Sequence, residues 1–274
     1  LSEATLVISF YNNISYLRLI FAGLERQSVK NFDVIISDDG FKSEIVEEIK
    51  NFSGTFSFPI KHIWQEDKGF RKNRMLNRAI QEASCDFLIF IDGDCVPHSK
   101  FIEEHIKARS ERFINTGRRV NLSQKVTSRL SEAEIREGYL EKYTPLLFDG
   151  IFGKSYDVEK GFYFSSPFLR SHFNKKKRGL LGCNMSMTKQ ALLAVNGFDE
   201  RYEAPAIGED SDIQFRLELA GYNVRSLNNI AVQYHLYHRI QPRQQRNNDL
   251  FEQVQKEKKA FTPFGINKGE LSES

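Results

Sequence analysis

The sequence predicts an α/β fold: a mostly parallel central sheet flanked by helices. Two observations predict it. The first half of the chain alternates short β-rich apolar runs with stretches of helical periodicity. The runs are also continuously apolar rather than alternating, which suits strands buried on both faces. A third observation says where such a fold would bind. The polar clusters Tyr11-Asn12, Asp38-Asp39 and Asp92-Gly93-Asp94 each follow a predicted strand, and open α/β sheets take ligands beyond the carboxyl ends of their strands.

Ala4 to Phe10 is the first such run, and Leu17, Ile20, Phe21 and Leu24 then recur at helical spacing. Phe32 to Ser37 reads as a second strand, ended by Asp38-Asp39-Gly40, and Ile60 to Trp64 as a third. Arg74 to Ala83 reads as a helix with Met75, Leu76, Ala79, Ile80 and Ala83 inside. Asp86 to Ile91 is a fourth strand, and the helix after it carries Phe101, Ile102, His105 and Ile106 on one face. The middle, from about Gly117 to Leu180, is less regular and rich in aromatic and basic residues. Pattern returns with Gln190 to Val195, then with a helix from near Asp210 that should bury Ile213, Leu217 and Ala220 and end at Gly221. Ile230 to His235 is a last strand, and beyond Gln241 the chain turns polar and reads as peripheral.

The bulk numbers exclude some classes. A chain of 274 residues with 40% hydrophobic content can bury a substantial core. Its net charge of +3 lacks the basic excess of a nucleic-acid binder. Cys85, Cys95 and Cys183 match no zinc spacing and read as reduced thiols of a cytoplasmic protein. No apolar run approaches the roughly 20 residues of a spanning helix, and no signal peptide is visible.

The chemistry-bearing residues each have a structural alternative. Asp92 and Asp94 at the end of a buried strand can face one divalent cation, with Gly93 leaving room for a diphosphate; hard oxygen ligands suit Mg²⁺ or Mn²⁺. The alternative is a strand-end turn. Asp39 can accept the imide N–H of a uracil, with Gly40 admitting the ring, or it can simply form an Asx turn. Glu209 and Asp210 suit a helix cap, or a general base for an acceptor hydroxyl. His235 and His238 can be structural, or they can fill out the coordination of a cation. Lys175-Lys176-Lys177-Arg178 reads as a solvated loop, or as an attractor of an anionic membrane surface or of a diphosphate-linked acceptor. There is no Gly-x-Gly-x-x-Gly and no Gly-x-Ser-x-Gly; Gly153-Lys154-Ser155 resembles the end of a phosphate loop, but Phe148 stands where its first glycine belongs.

Together these residues resemble glycosyltransferase family 2, with the GT-A fold. The resemblance runs from about Ala4 to His238, and its pieces come in the family's order. They are Ser9-Phe10-Tyr11-Asn12, Ser37-Asp38-Asp39-Gly40, the stretch Gln65 to Asn77, Asp92-Gly93-Asp94, Gly182 to Ser186, Asn196-Gly197-Phe198-Asp199-Glu200 and Glu209-Asp210. The second half is most similar to bacterial polysaccharide and lipopolysaccharide synthases of chondroitin-polymerase-like and galactosyltransferase-like type. The resemblance implies one domain over residues 1–245, with a nucleotide-sugar-binding half (1–94) fused to an acceptor half (95–245), and a peripheral extension over 246–274.

It also implies roles. Phe10, Tyr11, Asp39, Asp67, Asp92 and Gly93 would bind the nucleotide sugar, with Asp39 at the base and Asp92 at the ribose or the sugar. Asp94 would bind the metal, with His235 as the further ligand and His238 as its substitute. Asp210 would be the general base and Glu209 would hold the acceptor. Two places depart from the family. Leu76-Asn77 replaces a common Arg-Asn pair, so the charge facing the diphosphate falls to Arg71 and Arg74, or to Lys72 between them. Ala204-Pro205-Ala206-Ile207-Gly208 replaces a Gly-Trp-Gly run, so substrate identity does not carry over. The expected protein is an inverting, Mn²⁺- or Mg²⁺-dependent enzyme. It would use a UDP-sugar and a carbohydrate or lipid-linked acceptor, in the cytoplasm or at the inner face of its membrane, with no nucleic-acid polymer as partner. A sugar-nucleotide nucleotidyltransferase would instead show a glycine-rich basic loop where Phe10-Tyr11-Asn12-Asn13-Ile14 stands. A non-catalytic binding module would not need Asp210 together with the metal carboxylates.

Overall fold

The apolar runs become the strands expected of them. The computed structural model describes residues 1–205, 208–239 and 245–268. Its strands are β1 (Ala4–Phe10), β2 (Phe32–Asp38), β3 (Ile60–Trp64), β4 (Phe87–Asp92), β5 (Cys95–Pro97), β6 (Phe113–Thr116), β7 (Arg118–Asn121), β8 (Met185–Thr188), β9 (Asn223–Ser226) and β10 (Val232–His235). Seven of them form one sheet in the order β3-β2-β1-β4-β8-β6-β9. β3, β2, β1 and β4 are parallel; β8 runs antiparallel between β4 and β6, and β9 is parallel to β6. The chain winds outward from β1 to β3 and then returns to lay β4 on the other side of β1. The carboxyl ends of β1 and β4 therefore flank a topological switch point, the crevice where such sheets bind ligands.

Successive strand residues point to opposite faces, and both faces are covered. Leu6, Ile8, Val34, Ile36, Ile89 and Ile91 pack under the Ile14–Glu25 helix through Leu17, Ile20, Phe21 and Leu24. Val7, Ile35, Leu88 and Phe90 face the Lys72–Glu82 and Glu209–Leu219 helices. The latter helix carries three acids in its first turn and is anchored by Ile213 and Leu217, each worth roughly 1.5–3 kcal/mol when fully buried. Asp212 and Arg216, both buried, add an ion pair one turn apart at 2.6 Å. Ala220 is not buried with them as expected. It is the C-cap and exposed, and Gly221 follows in the left-handed conformation at φ 92°.

A second, three-stranded sheet has the order β5-β10-β7, with β10 antiparallel to β5 and parallel to β7. Buried His105, on the Phe101–Lys107 helix, fastens the two sheets together. Its Nε2 lies 3.1 Å from Asn184 Oδ1 and its Nδ1 lies 2.8 Å from Ser186 Oγ. Asn184 Nδ2 donates to the carbonyls of Arg118 and Ala231 at 3.0 and 2.9 Å. Because the Asn184 amide nitrogen is already committed, its oxygen must accept, so His105 donates from Nε2 and accepts at Nδ1. Burial pushes this imidazole down to about 3, which keeps it neutral.

The polar end of the chain packs more closely than its composition suggests. Gln245–Glu257 is a helix whose Val254 is buried, and the strip after it is stitched to the Asn196-Gly197 turn. Asn196 Nδ2 donates to the carbonyls of Thr262 and Asn267, and its Oδ1 accepts the Asn267 amide at 2.8 Å. Hydrogen bonds from the Asn196 side chain and backbone, rather than an apolar stripe, hold the strip, so hydrophobic periodicity does not reveal it. Gln241, Ala206 and Ile207 lie outside the described residues. No helix among the described residues is long and apolar enough to cross a membrane.

Candidate active site

A cavity of about 780 Å³ opens at the switch point, lined by Ser9, Phe10 and Tyr11 from β1 and by Asp92, Gly93 and Asp94 from β4. The Gly93 amide donates to Ser9 O at 2.7 Å, and a Cβ on Gly93 would stand 2.9 Å from that same oxygen. The glycine is thus required by the approach of β1 to β4, and it also lines the cavity. Gly40 behaves likewise: a Cβ there would meet the Tyr11 ring at 2.5 Å, so the glycine makes room for a side chain of the protein.

The second sheet brings a distant pair of histidines to Asp94. In the β5–β10 pairing Cys95 faces His235, and the Leu236 amide donates to Asp94 O at 2.8 Å. Asp94 Oδ2 consequently lies 3.4 Å from His235 Nε2 and 3.1 Å from His238 Nε2. The three ligand atoms all fall within 4.8 Å of one another. Both histidines reach the carboxylate, where the sequence left a choice between them. Burial acts to raise the Asp94 pKa, but the bonds from His235 and His238 outweigh it and hold the carboxyl well below the usual range.

The opposite wall carries a different arrangement. Lys72, in the first turn of the Lys72–Glu82 helix, bridges Asp92 Oδ1 at 2.7 Å and Glu209 Oε1 at 2.5 Å. Burial disfavours its charge, yet the two carboxylates prevail and raise its pKa well above the ordinary lysine value. Burial raises the Glu209 pKa, opposed by Lys72. Asp210 lines the same cavity. Its Oδ1 accepts the Ser211 amide at 2.7 Å and its Oδ2 accepts the Gly182 amide at 3.4 Å. The N-cap itself is Gly208, without a side-chain cap, so Glu209 and Asp210 are first-turn residues that face the cavity rather than caps. A Cβ on Gly182 would sit 2.9 Å from Glu209 Oε1, so that glycine lets the acidic pair close in.

At the far end of the cavity, the Asp39 carboxylate accepts from Gln65 Nε2 and from the Arg71 amide, each at 2.6 Å. Burial pushes its pKa up, and those two bonds oppose the shift. Tyr11 stands at the mouth and donates its hydroxyl to Asp67 Oδ2 at 3.0 Å, so Asp67 acts on the cavity through that ring.

Comparison with known proteins decides the family. The model described as glycosyl transferase family 2 matches residues 5–171, and one described as the N-terminal domain of galactosyltransferase matches residues 164–239. The chain belongs to glycosyltransferase family 2. A curated relative of this glycosyltransferase, the chondroitin synthase of Escherichia coli, is 24% identical over 246 residues, which is 84% of this chain and 34% of the synthase. The hyaluronan synthase of Pasteurella multocida is 23% identical over 103 residues, 37% of this chain and 10% of that one. The chain thus spans about a third of the first of these relatives and a tenth of the second. Two solved structures share the fold. S. aureus TarS 1–349 in complex with UDP-GlcNAc has a TM-score of 0.56 at 14% identity, covering 88% of this chain and 60% of that one. The mannosyltransferase PcManGT from Pyrobaculum calidifontis, in complex with GDP-Man and Mn²⁺, has a TM-score of 0.57 at 12% identity, covering 86% and 57%. These neighbours are GT-A glycosyltransferases, and the fold of this chain is of that kind.

Three expected site residues of the glycosyltransferase do not line the cavity: Asp67, which meets it only through Tyr11, and two arginines. Arg71 and Arg74 line a separate cleft of about 420 Å³ with Glu200, Arg201 and Phe264, and the Arg71 side chain donates to Glu66 O. Helix phase explains this. Lys72 shares a face with Met75, Leu76 and Ala79, all buried, whereas Arg71 and Arg74 fall on the flank. Asn77, in the departure from the family pattern, is structural: it exchanges bonds of 2.8 Å with the Phe198 backbone on both of its amide atoms. Arg119 lines the cavity without having been foreseen, its Nη1 3.3 Å from Cys183 Sγ. Only the register of β7 against β10, which sets it beside Gln233, brings it there.

Proposed function

We propose that this domain moves a sugar from a UDP-linked donor to an acceptor hydroxyl with inversion at the anomeric carbon. We place that reaction in the synthesis of bacterial surface polysaccharide or lipopolysaccharide. One observation carries the reading: Asp94, His235 and His238, grouped closely enough to hold a cation, and a carboxylate with no ion pair among the described residues, Asp210, line a single cavity. The likeness to chondroitin synthase supports the polysaccharide part.

Asp94, His235 and His238 would hold a divalent cation, whose charge when bound offsets that of the departing diphosphate. The donor set fits such an ion, and its two imidazoles favour a first-row transition ion such as Mn²⁺ over Mg²⁺. Asp39 accepts the imide N–H of the base at the far end, beside the Tyr11 ring. Lys72 holds positive charge toward the diphosphate while keeping Asp92 and Glu209 compatible with it. Glu209 orients the acceptor. Asp210 takes the proton of the acceptor hydroxyl as its oxygen bonds to the anomeric carbon. The bond from that carbon to the diphosphate oxygen breaks, and the leaving group keeps the electron pair.

The test is release of free UDP from a panel of UDP-sugars, with and without Mn²⁺, over a range of oligosaccharide acceptors. Asp210→Asn should keep UDP affinity and lose turnover by a factor on the order of 10². Wild-type turnover in that variant would remove Asp210 from the mechanism. UDP binding without turnover on any donor or acceptor would reduce the domain to a binding module.

A further inference from the structure

The Tyr143–Phe152 helix buries Leu146 and Asp149 and turns the opposite face outward. On that face Phe148, Ile151 and Phe152 are exposed by 65%, 71% and 74%. Their spacing of three and four residues aligns them in one stripe, and the two phenylalanine rings lie 4.8 Å apart. Tyr156, 57% exposed, follows just beyond the helix. The next helix, Pro167–Phe173, buries none of its side chains and exposes Phe168 and Phe173. Single exposed apolar residues need no explanation, but a contiguous stripe on one helical face marks a contact surface.

Charge identifies what the stripe contacts. Residues 142–178 hold eight Lys and Arg against three Asp and Glu, a net +5 within a chain of net +3. The rest of the molecule is therefore net negative, and the positive charge is concentrated in the segment that carries the two aromatic helices, although Lys160 and Arg170 within it are paired with Asp157 and Glu104. Lys175, Lys176 and Lys177 are exposed, and only Lys177 has an ion-pair partner, Glu218, among the described residues. One of the three acids, Asp149, is buried and bonded to Ser155 Oγ at 2.5 Å.

We propose that this face docks on a bilayer carrying anionic lipids, with Phe148, Ile151, Phe152 and Tyr156 in the interfacial layer and the lysines at the head groups. A second copy of the chain would bring two such positive fields together. A glycan would find no polar group among Phe148, Ile151 and Phe152 to hydrogen-bond its hydroxyls. The face also borders the active site: Asn121 exchanges two backbone bonds of 3.0 Å with Tyr156 and pairs with His235 in the register of β7 and β10. Docking would bring the cavity mouth toward the lipid surface.

The experiment is co-sedimentation of the full chain with two kinds of vesicle, phosphatidylcholine alone and phosphatidylcholine mixed with phosphatidylglycerol. It does not depend on the transfer reaction, so it can fail or succeed independently of the proposed activity. Binding is expected only to the anionic vesicles and should weaken as salt rises. The double variant Phe148→Ser/Phe152→Ser and the triple variant Lys175→Glu/Lys176→Glu/Lys177→Glu should each lower vesicle affinity at least tenfold. Both should keep the wild-type melting temperature and UDP release with a water-soluble acceptor. No binding to anionic vesicles, equal binding to both kinds, or undiminished binding by Phe148→Ser/Phe152→Ser would overturn the proposal. So would a dimer, seen by light scattering, that the same substitutions dissolve while vesicle binding is absent.

Discussion

Asp92 and Asp94 stand two positions apart at the end of one strand, yet they have opposite partners. Asp92 shares Lys72 with Glu209, so its compensating charge is a covalent part of the protein. Asp94 faces two imidazoles, an arrangement with room for a cation to join them. The lesson is that an Asp-x-Asp pair is not one site. In this cavity one carboxylate belongs to a fixed salt bridge and the other to a candidate metal cluster, and the neighbouring elements decide which.

The comparison breaks most easily at Asp94. Asp94→Ala should lower Mn²⁺-dependent turnover by about 10³, the scale of losing metal-assisted charge stabilisation. Activity that rises with Mn²⁺ as it does in the wild type would sink the assignment. Lys72→Met attacks the other side. It leaves two carboxylates facing each other and the diphosphate, so turnover should fall about 10², with weaker UDP binding measured by calorimetry and no change in Mn²⁺ half-saturation. A shifted metal requirement in that variant would mean that the two walls are one site. Replacing the imidazoles sharpens the picture: His235→Ala should raise Mn²⁺ half-saturation about tenfold, and His238→Ala, at the more exposed ligand, by less.

The smallest effect concerns the scaffold. His105 has its pKa held at about 3, below the ordinary histidine value, so the unfolded chain binds a proton that the folded one refuses. Its contribution is fully present above the unfolded pKa and is lost as pH falls from about 6.5 toward 3, by up to roughly 1 kcal/mol per pH unit. Urea unfolding across that window should be less pH-dependent in His105→Gln than in the wild type. Equal slopes would mean that His105 is not held neutral.

Much of this was legible in the residues. The bounds of β1 follow from an apolar run with an abrupt polar end, and those of β3 from the short stretch Ile60 to Trp64, of which only Ile63 is buried. The alternation of those runs with helical periodicity places Tyr11, Asp39 and Asp94 at strand ends. Lys72 was legible in principle, since it keeps phase with Met75 and Ala79 on the buried face of its helix, while Arg71 and Arg74 do not. The aromatic face of the Tyr143–Phe152 helix was visible as composition but not as a surface. Nothing in the apolar residue types separates Leu146, which is buried, from Phe148, which is not.

By itself the sequence determined the α/β class, five of the ten described strands (β1 to β4 and β10) and the residue types offered at their ends. These are set locally, by side-chain period and by the needs of buried backbone. The short strands β5 to β9 carry no apolar run that sets them apart. Only the tertiary structure decided that Asp94 meets both His235 and His238, that Asp92 meets Lys72 and Glu209, and that Arg119 enters the cavity. Those meetings depend on strand register and helix phase across long separations, where a shift of one residue turns every side chain to the other face.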